Sequence, residues 1–264
     1  MEKTINNWIP FLTLIRREIK RFMKVMIQTV VSPIVSSSLY LLIFGVSLGS
    51  QVNLPNGLPY ITFLIPGLMV MGLINNSFQN SSSSIVTSKF SGDLEDIRVA
   101  PITNHQIIWA MGIGGIIRGT VVAFITGVVG MIFHYFMVGD FLPIKHPLLF
   151  AMFTVLCGLI FSFCGIFIAF IAKTFDQLSA FSTFILIPLT YLGGVFMTIQ
   201  GLHPFWQKVC HLNPVFYLIN GYRYSMVGVS DVDLTTTVVV CLLAAVVTYL
   251  MAMYSLVKGS FARW

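Results

Sequence analysis

Six long apolar runs divide the chain, near Val25–Leu48, Tyr60–Val86, Ile107–Val138, Leu148–Ala172, Leu178–Ile199 and Leu234–Val257. Each is long enough to cross a hydrocarbon layer of roughly 30 Å, which takes about 20 residues of helix. The pattern predicts an all-α polytopic membrane protein with six transmembrane helices, 25–48, 60–86, 107–138, 148–172, 178–199 and 234–257. Pro33 and Pro188 predict kinks, because proline lacks the amide hydrogen that closes a helix turn. Arg118 interrupts the third run. Gly119 to Val138 alone is long enough to span, so Arg118 is expected to snorkel to the cytoplasmic surface and Ile107–Ile117 to form a semi-interfacial segment.

A shorter pattern precedes these runs. Between Asn7 and Lys24, Trp8, Leu12, Ile15, Ile19 and Phe22 recur at spacings of four and three, with Arg17, Lys20, Arg21 and Lys24 on the far side. This predicts an interfacial amphipathic helix over 7–24, apolar face down and cations toward anionic lipid. A cytoplasmic extension of the first span is the plainer alternative.

The polar stretches carry the candidate function. Ser88 to Gln106 holds Lys89, Asp93, Glu95, Asp96 and Arg98. Gly92 starts a short helix, acids fill its first turn where the helix dipole favours them, and Pro101 stops it. Leu94, Ile97 and Ile102 give it a sparse apolar stripe. Such a helix between two spans suits a docking surface; an ordinary solvated loop is the alternative. In the second span, Asn75, Asn76, Ser77, Gln79, Asn80 and Ser81 to Ser84 leave only Phe78 apolar. Carboxamides in hydrocarbon need partners. They either bond neighbouring helices, at about 0.6 kcal/mol each, or wall a translocation route. The aromatic stretch 203–228, broken by Pro204 and Pro214, predicts two short re-entrant helices dipping into the outer leaflet.

Only 9% of the 264 residues are charged, and 56% are hydrophobic. Soluble domains carry roughly 25% charged residues, so this is an integral membrane protein. The formal charge of +6 is spread along the chain, which argues against nucleic-acid binding. With the N-terminus inside, twelve Lys and Arg residues fall inside (Lys3, Arg16, Arg17, Lys20, Arg21, Lys24, Lys89, Arg98, Arg118, Lys173, Lys258, Arg263) and three outside (Lys145, Lys208, Arg223). The positive-inside rule then places both termini in the cytoplasm. The arginines and lysines follow an apolar face instead of preceding a short apolar core, so no cleavable signal peptide is expected. Cys157, Cys164 and Cys241 lie in apolar runs, and Cys210 stands alone in an outside loop, so no disulfide is expected. The five histidines lack metal-ligand spacing. No phosphate-binding G-x-x-x-x-G-K-[ST] loop occurs. Gly45-Val46-Ser47-Leu48-Gly49 matches a hydrolase nucleophile elbow, with His134 or His211 as base, but it ends a membrane run where a strand-to-helix turn is required. Gly115 and Gly119, and Gly193–Gly194, support close helix contacts.

Two motifs carry a family resemblance. Gly92-Asp-Leu-Glu-Asp-Ile-Arg-Val-Ala-Pro101 is similar to the cytoplasmic loop of ABC-2 exporter permeases. Pro188-Leu-Thr-Tyr-Leu-Gly-Gly-Val-Phe196, with Leu212-Asn-Pro214, Tyr217, Arg223 and Gly228, resembles the second family motif. With the six spans, the resemblance covers nearly the whole chain, 1–264, as a single transmembrane domain. Ser91 stands where the family often has a base, and Asn220 where it often has an acid, so Arg223 needs another partner. The resemblance implies a homodimer in the bacterial inner membrane, paired with two copies of a cytoplasmic ABC ATPase that binds ATP and Mg; this chain binds no cofactor itself. It implies that Leu94, Glu95, Ile97, Arg98 and Pro101, over 88–106, seat in the ATPase. Asn75, Asn76, Gln79, Asn80, Thr183, Thr190 and Tyr191 are the candidate path, and Trp206, Asn213, Pro214, Tyr217 and Arg223 the candidate outer gate. The substrate class is amphiphilic, glycan, lipid or drug-like. A stand-alone channel or carrier is the alternative function, and a membrane hydrolase at Ser47 a remote one.

Overall fold

Local signals set most helix ends. The computed structural model describes residues 8–49, 51, 52, 54 and 57–259, with Arg98 described for its backbone alone. Among these residues there is no strand. Helix α1 spans Trp8–Met23, so Asn7 of the expected interfacial helix lies outside the described residues, as do Lys3 and Arg263 of the inside charge set. Helix α2, Met26–Tyr40, continues as a π-helical stretch over Leu41–Ser47. Helix α3, Tyr60–Ser91, stops at Gly92, whose φ of 85° is in the left-handed region that glycine alone enters without strain. Helix α4, Asp93–Val99, follows directly. Helix α5, Asn104–Val138, opens on a capping box, with Thr103 Oγ1 accepting from the Gln106 amide and Gln106 Oε1 from the Thr103 amide. Then come α6 (Pro147–Ile171), α7 (Phe175–Phe181), α8 (Ile187–Leu192), α9 (Pro204–His211), α10 (Pro214–Val227) and α11 (Leu234–Lys258). Proline in the first turn starts α6, α9 and α10, where its missing amide hydrogen costs nothing.

Among the described residues, five helices are long and apolar enough to cross a membrane: Met26–Ser47, α3, α5, α6 and α11. The run expected at 178–199 is built in pieces. Helix α7, a π-helical stretch at Ser182–Leu186 and α8 supply seven, five and six residues. At about 1.5 Å per residue they reach roughly 27 Å, just short of a hydrocarbon layer of about 30 Å. Pro188 gives the reason. Its ring crowds the carbonyl four residues back, and widening the helix over the preceding turn relieves that contact. Gly194, at φ 86°, then turns the chain out of the helix. Ile107–Ile117 is continuous with the residues that follow it, in one 35-residue helix that runs unbroken through Arg118.

Helix α3 is the axis of the bundle, packed among α5, α6 and α10. Missing side chains allow the approach. A Cβ on Gly165 of α6 would lie 2.6 Å from the Phe78 carbonyl oxygen of α3. On α5, a Cβ on Gly115 or Gly119 would meet the hydroxyls of Ser162 or Ser77 at 2.0 and 2.2 Å. A large apolar core joins Leu64, Leu73, Phe153, Phe216 and Tyr222. A second core, at the α1 and α4 end, joins Leu14, Leu94, Ile107, Phe163 and Leu178. Helices α2 and α11 leave apolar side chains bare, among them Ile27, Val35, Leu243 and Leu250.

Candidate functional site

The segment between α3 and α5 rests on a rigid base. Near the end of α3, Lys89 is buried and donates to the carbonyls of Ala169 (3.0 Å) and Phe170 (3.4 Å) at the last turn of α6. A cation there satisfies carbonyls that the helix itself cannot. Leu94 of α4 turns into the chain's own core, so its expected seat in a partner's groove is not available in this conformation. Facing outward are Asp93, Glu95, Asp96, Val99 and Pro101, with Ile97 half-covered and Val99 88% exposed. The Arg98 side chain lies outside the described residues. Arg17 of α1 approaches Asp93 at 3.6 Å, both ends partly exposed. Between α1 and α4 runs an open groove of about 580 Å³, walled by Ile9, Thr13 and Arg17 on one side and by Asp96, Ile97 and Pro101 on the other.

The polar block of α3 divides by face. Ten consecutive residues wrap the whole helix, so only part of the block reaches any one neighbour. Ser77 and Ser81 bond the carbonyls of Gly115 and Met111 on α5. Asn75 and Asn76 instead donate to their own helix, at Met71 and Gly72, and line a groove of about 200 Å³ shared with Ser32, Ser36 and Tyr40. Gln79 lines a second cavity of about 340 Å³. Asn80 does not join this open face; it is fully buried. Thr183 and Tyr191 are exposed, whereas Thr190 is buried and its hydroxyl is spent on the Ile187 carbonyl.

Asn80 belongs to a network that the apolar pattern concealed. Glu18, on α1, is fully buried and pairs with Arg21 at 3.2 Å. Its second oxygen accepts from Ser84 at 2.7 Å. Arg21 also donates to Ser83 and to both oxygens of Asn80. Gly114 makes room, since a Cβ there would sit 2.8 Å from the Glu18 Cβ. Arg17 likewise turns inward, to Ser88 at 2.7 Å. The expected interfacial helix therefore needs correction: Arg17 and Arg21 bond α3, and only Arg16, Lys20 and Lys24 stay exposed. The lone acid three residues before Arg21 was the available signal.

The sequence profile of the ABC-2 type transporter family matches residues 10–227. This chain belongs to the ABC-2 type transporter family. It is 38% identical over 256 residues to the inner membrane transport permease YadH of Escherichia coli strain K12, covering 97% of this chain and 98% of that protein. It is also similar to nodulation protein J of Azorhizobium caulinodans, at 23% over 221 residues (81% and 83% of the two chains). Nodulation protein J of Neorhizobium galegae is similar at 22% over 235 residues, 87% and 84% of the two.

At the opposite end of this ABC-2 chain, most candidate gate residues form a joint. Asn213 caps α10 by accepting from the Val215 amide and reaches the Leu189 carbonyl of α8 at 2.6 Å. Pro214 starts the helix, and Tyr217 bonds the His211 carbonyl. Arg223 is buried over the Phe63 ring, 3.6 Å from its centre, and donates to the Gly194 carbonyl at 2.8 Å. These replace the acid that the chain lacks at Asn220, which instead accepts from the Asp231 amide. Trp206 alone of the five faces an open hollow, of about 280 Å³ and shared with Tyr191 and Met197.

The remaining chemical candidates are occupied. Ser47 donates to the Leu42 carbonyl, and His134 bonds Thr62 and the Asp140 carbonyl. No imidazole bonds Ser47 among the described residues. All four cysteines are free thiols, and Cys210 is buried.

Proposed function

We propose that two copies of this permease form the membrane half of an ATP-driven exporter in the bacterial inner membrane, joined to two copies of a separate cytoplasmic ABC ATPase. The observation that carries this reading is α4. It is an acidic, outward-facing helix joined through Gly92 to the axial helix of the bundle, and the Lys89 bonds lock its base to α6. Glu95, Ile97, Arg98 and Pro101 seat in the ATPase, and Leu94 anchors the segment from behind. The partner binds ATP and Mg, and this chain binds no cofactor. When ATP closes the ATPase pair, the shift at α4 biases the bundle between inward- and outward-open states.

In this reading both termini are cytoplasmic, and the segment from Phe175 to Leu192 completes six spans. The bare apolar faces of α2 and α11 meet lipid or the second copy. The path runs along Asn75, Asn76, Gln79, Thr183 and Tyr191, with Asn80 and Thr190 supporting it from within. Helices α9 and α10 re-enter the outer leaflet. Trp206 caps the path, and Asn213, Pro214, Tyr217 and Arg223 hold the joint on which it moves. The cargo is amphiphilic, glycan, lipid or drug-like. The name of one relative, an inner membrane transport permease, supports transport at that membrane without fixing the cargo. Co-expressed with its ATPase and purified in detergent, the permease is expected to run as a two-plus-two assembly by mass. A single permease that moves solute in vesicles without ATPase would replace this reading with a channel or carrier.

A further inference from the structure

The cavity walled by α1, α3, α5 and α7 holds more positive charge than its own acid balances. Arg21, Arg118, Gln79, Ser83 and Ser182 line it, together with Gln28 of α2, in a volume of about 340 Å³. Glu18 pairs with Arg21. Arg118 makes no ion pair among the described residues, and its enclosed Nε has no acceptor. Twenty residues of α5 separate it from Val138, about 30 Å of helix, which puts the guanidinium at the edge of a hydrocarbon layer. A cation held there without a counter-charge is costly, and an anion from outside would offset that cost. Val25, Phe78, Phe175 and Leu178 form the apolar part of the same wall. Apolar and cationic groups thus share one opening.

We infer that Arg118, assisted by Arg21, binds the phosphate-type oxyanion head of an amphiphile. A guanidinium matches such a head with two parallel N–H donors. That this ligand is the exported substrate rests on the exporter reading above; the binding itself does not need the ATPase.

The test uses the full-length permease alone in neutral detergent, titrated with dioctanoyl phosphatidic acid, dioctanoylglycerol and inorganic phosphate. Phosphatidic acid is expected to bind, and Arg118→Gln to weaken it by about tenfold or more, as for loss of a charged hydrogen bond. Arg118→Lys should recover part of the affinity. The neutral dioctanoylglycerol should bind far more weakly than phosphatidic acid. If inorganic phosphate displaces the lipid in an Arg118-dependent manner, a free oxyanion suffices; if it does not, the head must arrive on a lipid. Equal affinity for phosphatidic acid in wild type and a folded Arg118→Gln would overturn the site, as would equal binding of dioctanoylglycerol. Should Arg118→Gln not fold, Gln79→Glu decides, because Gln79 is exposed and its carboxylate would compete with the anion: unchanged binding rejects the proposal. Because no ATPase is present, failure here leaves the exporter reading standing. Failure of the two-plus-two assembly leaves this site standing.

Discussion

Glu95→Arg is expected to uncouple the transporter, lowering substrate-stimulated ATP hydrolysis by at least about tenfold, equivalent to about 1.4 kcal/mol at the interface. Glu95 is exposed on α4 beside Asp96, so the change reverses charge on the surface proposed to meet the partner and leaves the core untouched. Like charges brought together at an interface cost several kcal/mol. The same substitution removes an acid from the first turn of α4, where the dipole favours it, but that loss is only about 0.3–1 kcal/mol. The interface effect therefore dominates. Hydrolysis by the reconstituted complex, and retention of ATPase on the tagged permease, measure it. Glu95→Gln should fall between wild type and Glu95→Arg. Full coupling in Glu95→Arg would remove α4 from the interface.

Glu18→Leu is expected to lower the stability of the permease by about 3 kcal/mol, the low end of about 3–5 kcal/mol for breaking a buried ion pair. The low end applies because Arg21 keeps a quarter of its side chain exposed. Removing Glu18 leaves Arg21 and Arg118 on one cavity without a carboxylate and strands the Ser84 hydroxyl. The double variant Glu18→Leu with Arg21→Leu should regain much of the loss, since replacing a whole buried pair by apolar residues is often neutral. Thermal unfolding in detergent reads both. If the double variant is no more stable than Glu18→Leu, the network is packing alone and the charge argument fails.

What could be read along the chain is what local physics fixes. Apolar runs, the Pro204 and Pro214 helix starts, and the Gly92 break before α4 depend on neighbours a few residues away. The polar block Asn75–Ser84 could not be divided in that way. Its serines at 77 and 81 bond α5 while Asn75, Asn76 and Gln79 face open space, and only the partners decide which is which. Amphipathic spacing likewise sorted α1 into apolar and cationic sides but could not show that Arg17 and Arg21 fold back onto α3. Pro188 announced a kink, yet the π-helical widening before it depends on the turn that the ring crowds. Asn220, three residues before Arg223, offers it no acid. That an aromatic ring and carbonyls from distant segments would serve in its place is a matter of tertiary contact.

In the proposed assembly, α4 faces the cytoplasm and is covered by the ATPase. Val99→Cys, in a chain whose four native cysteines are replaced, places a thiol at a highly exposed point of α4. A membrane-impermeant maleimide should label it in inverted vesicles and not in right-side-out vesicles, and bound ATPase should protect it. Labelling from the periplasmic side, or labelling that the ATPase leaves unchanged, would contradict the claim.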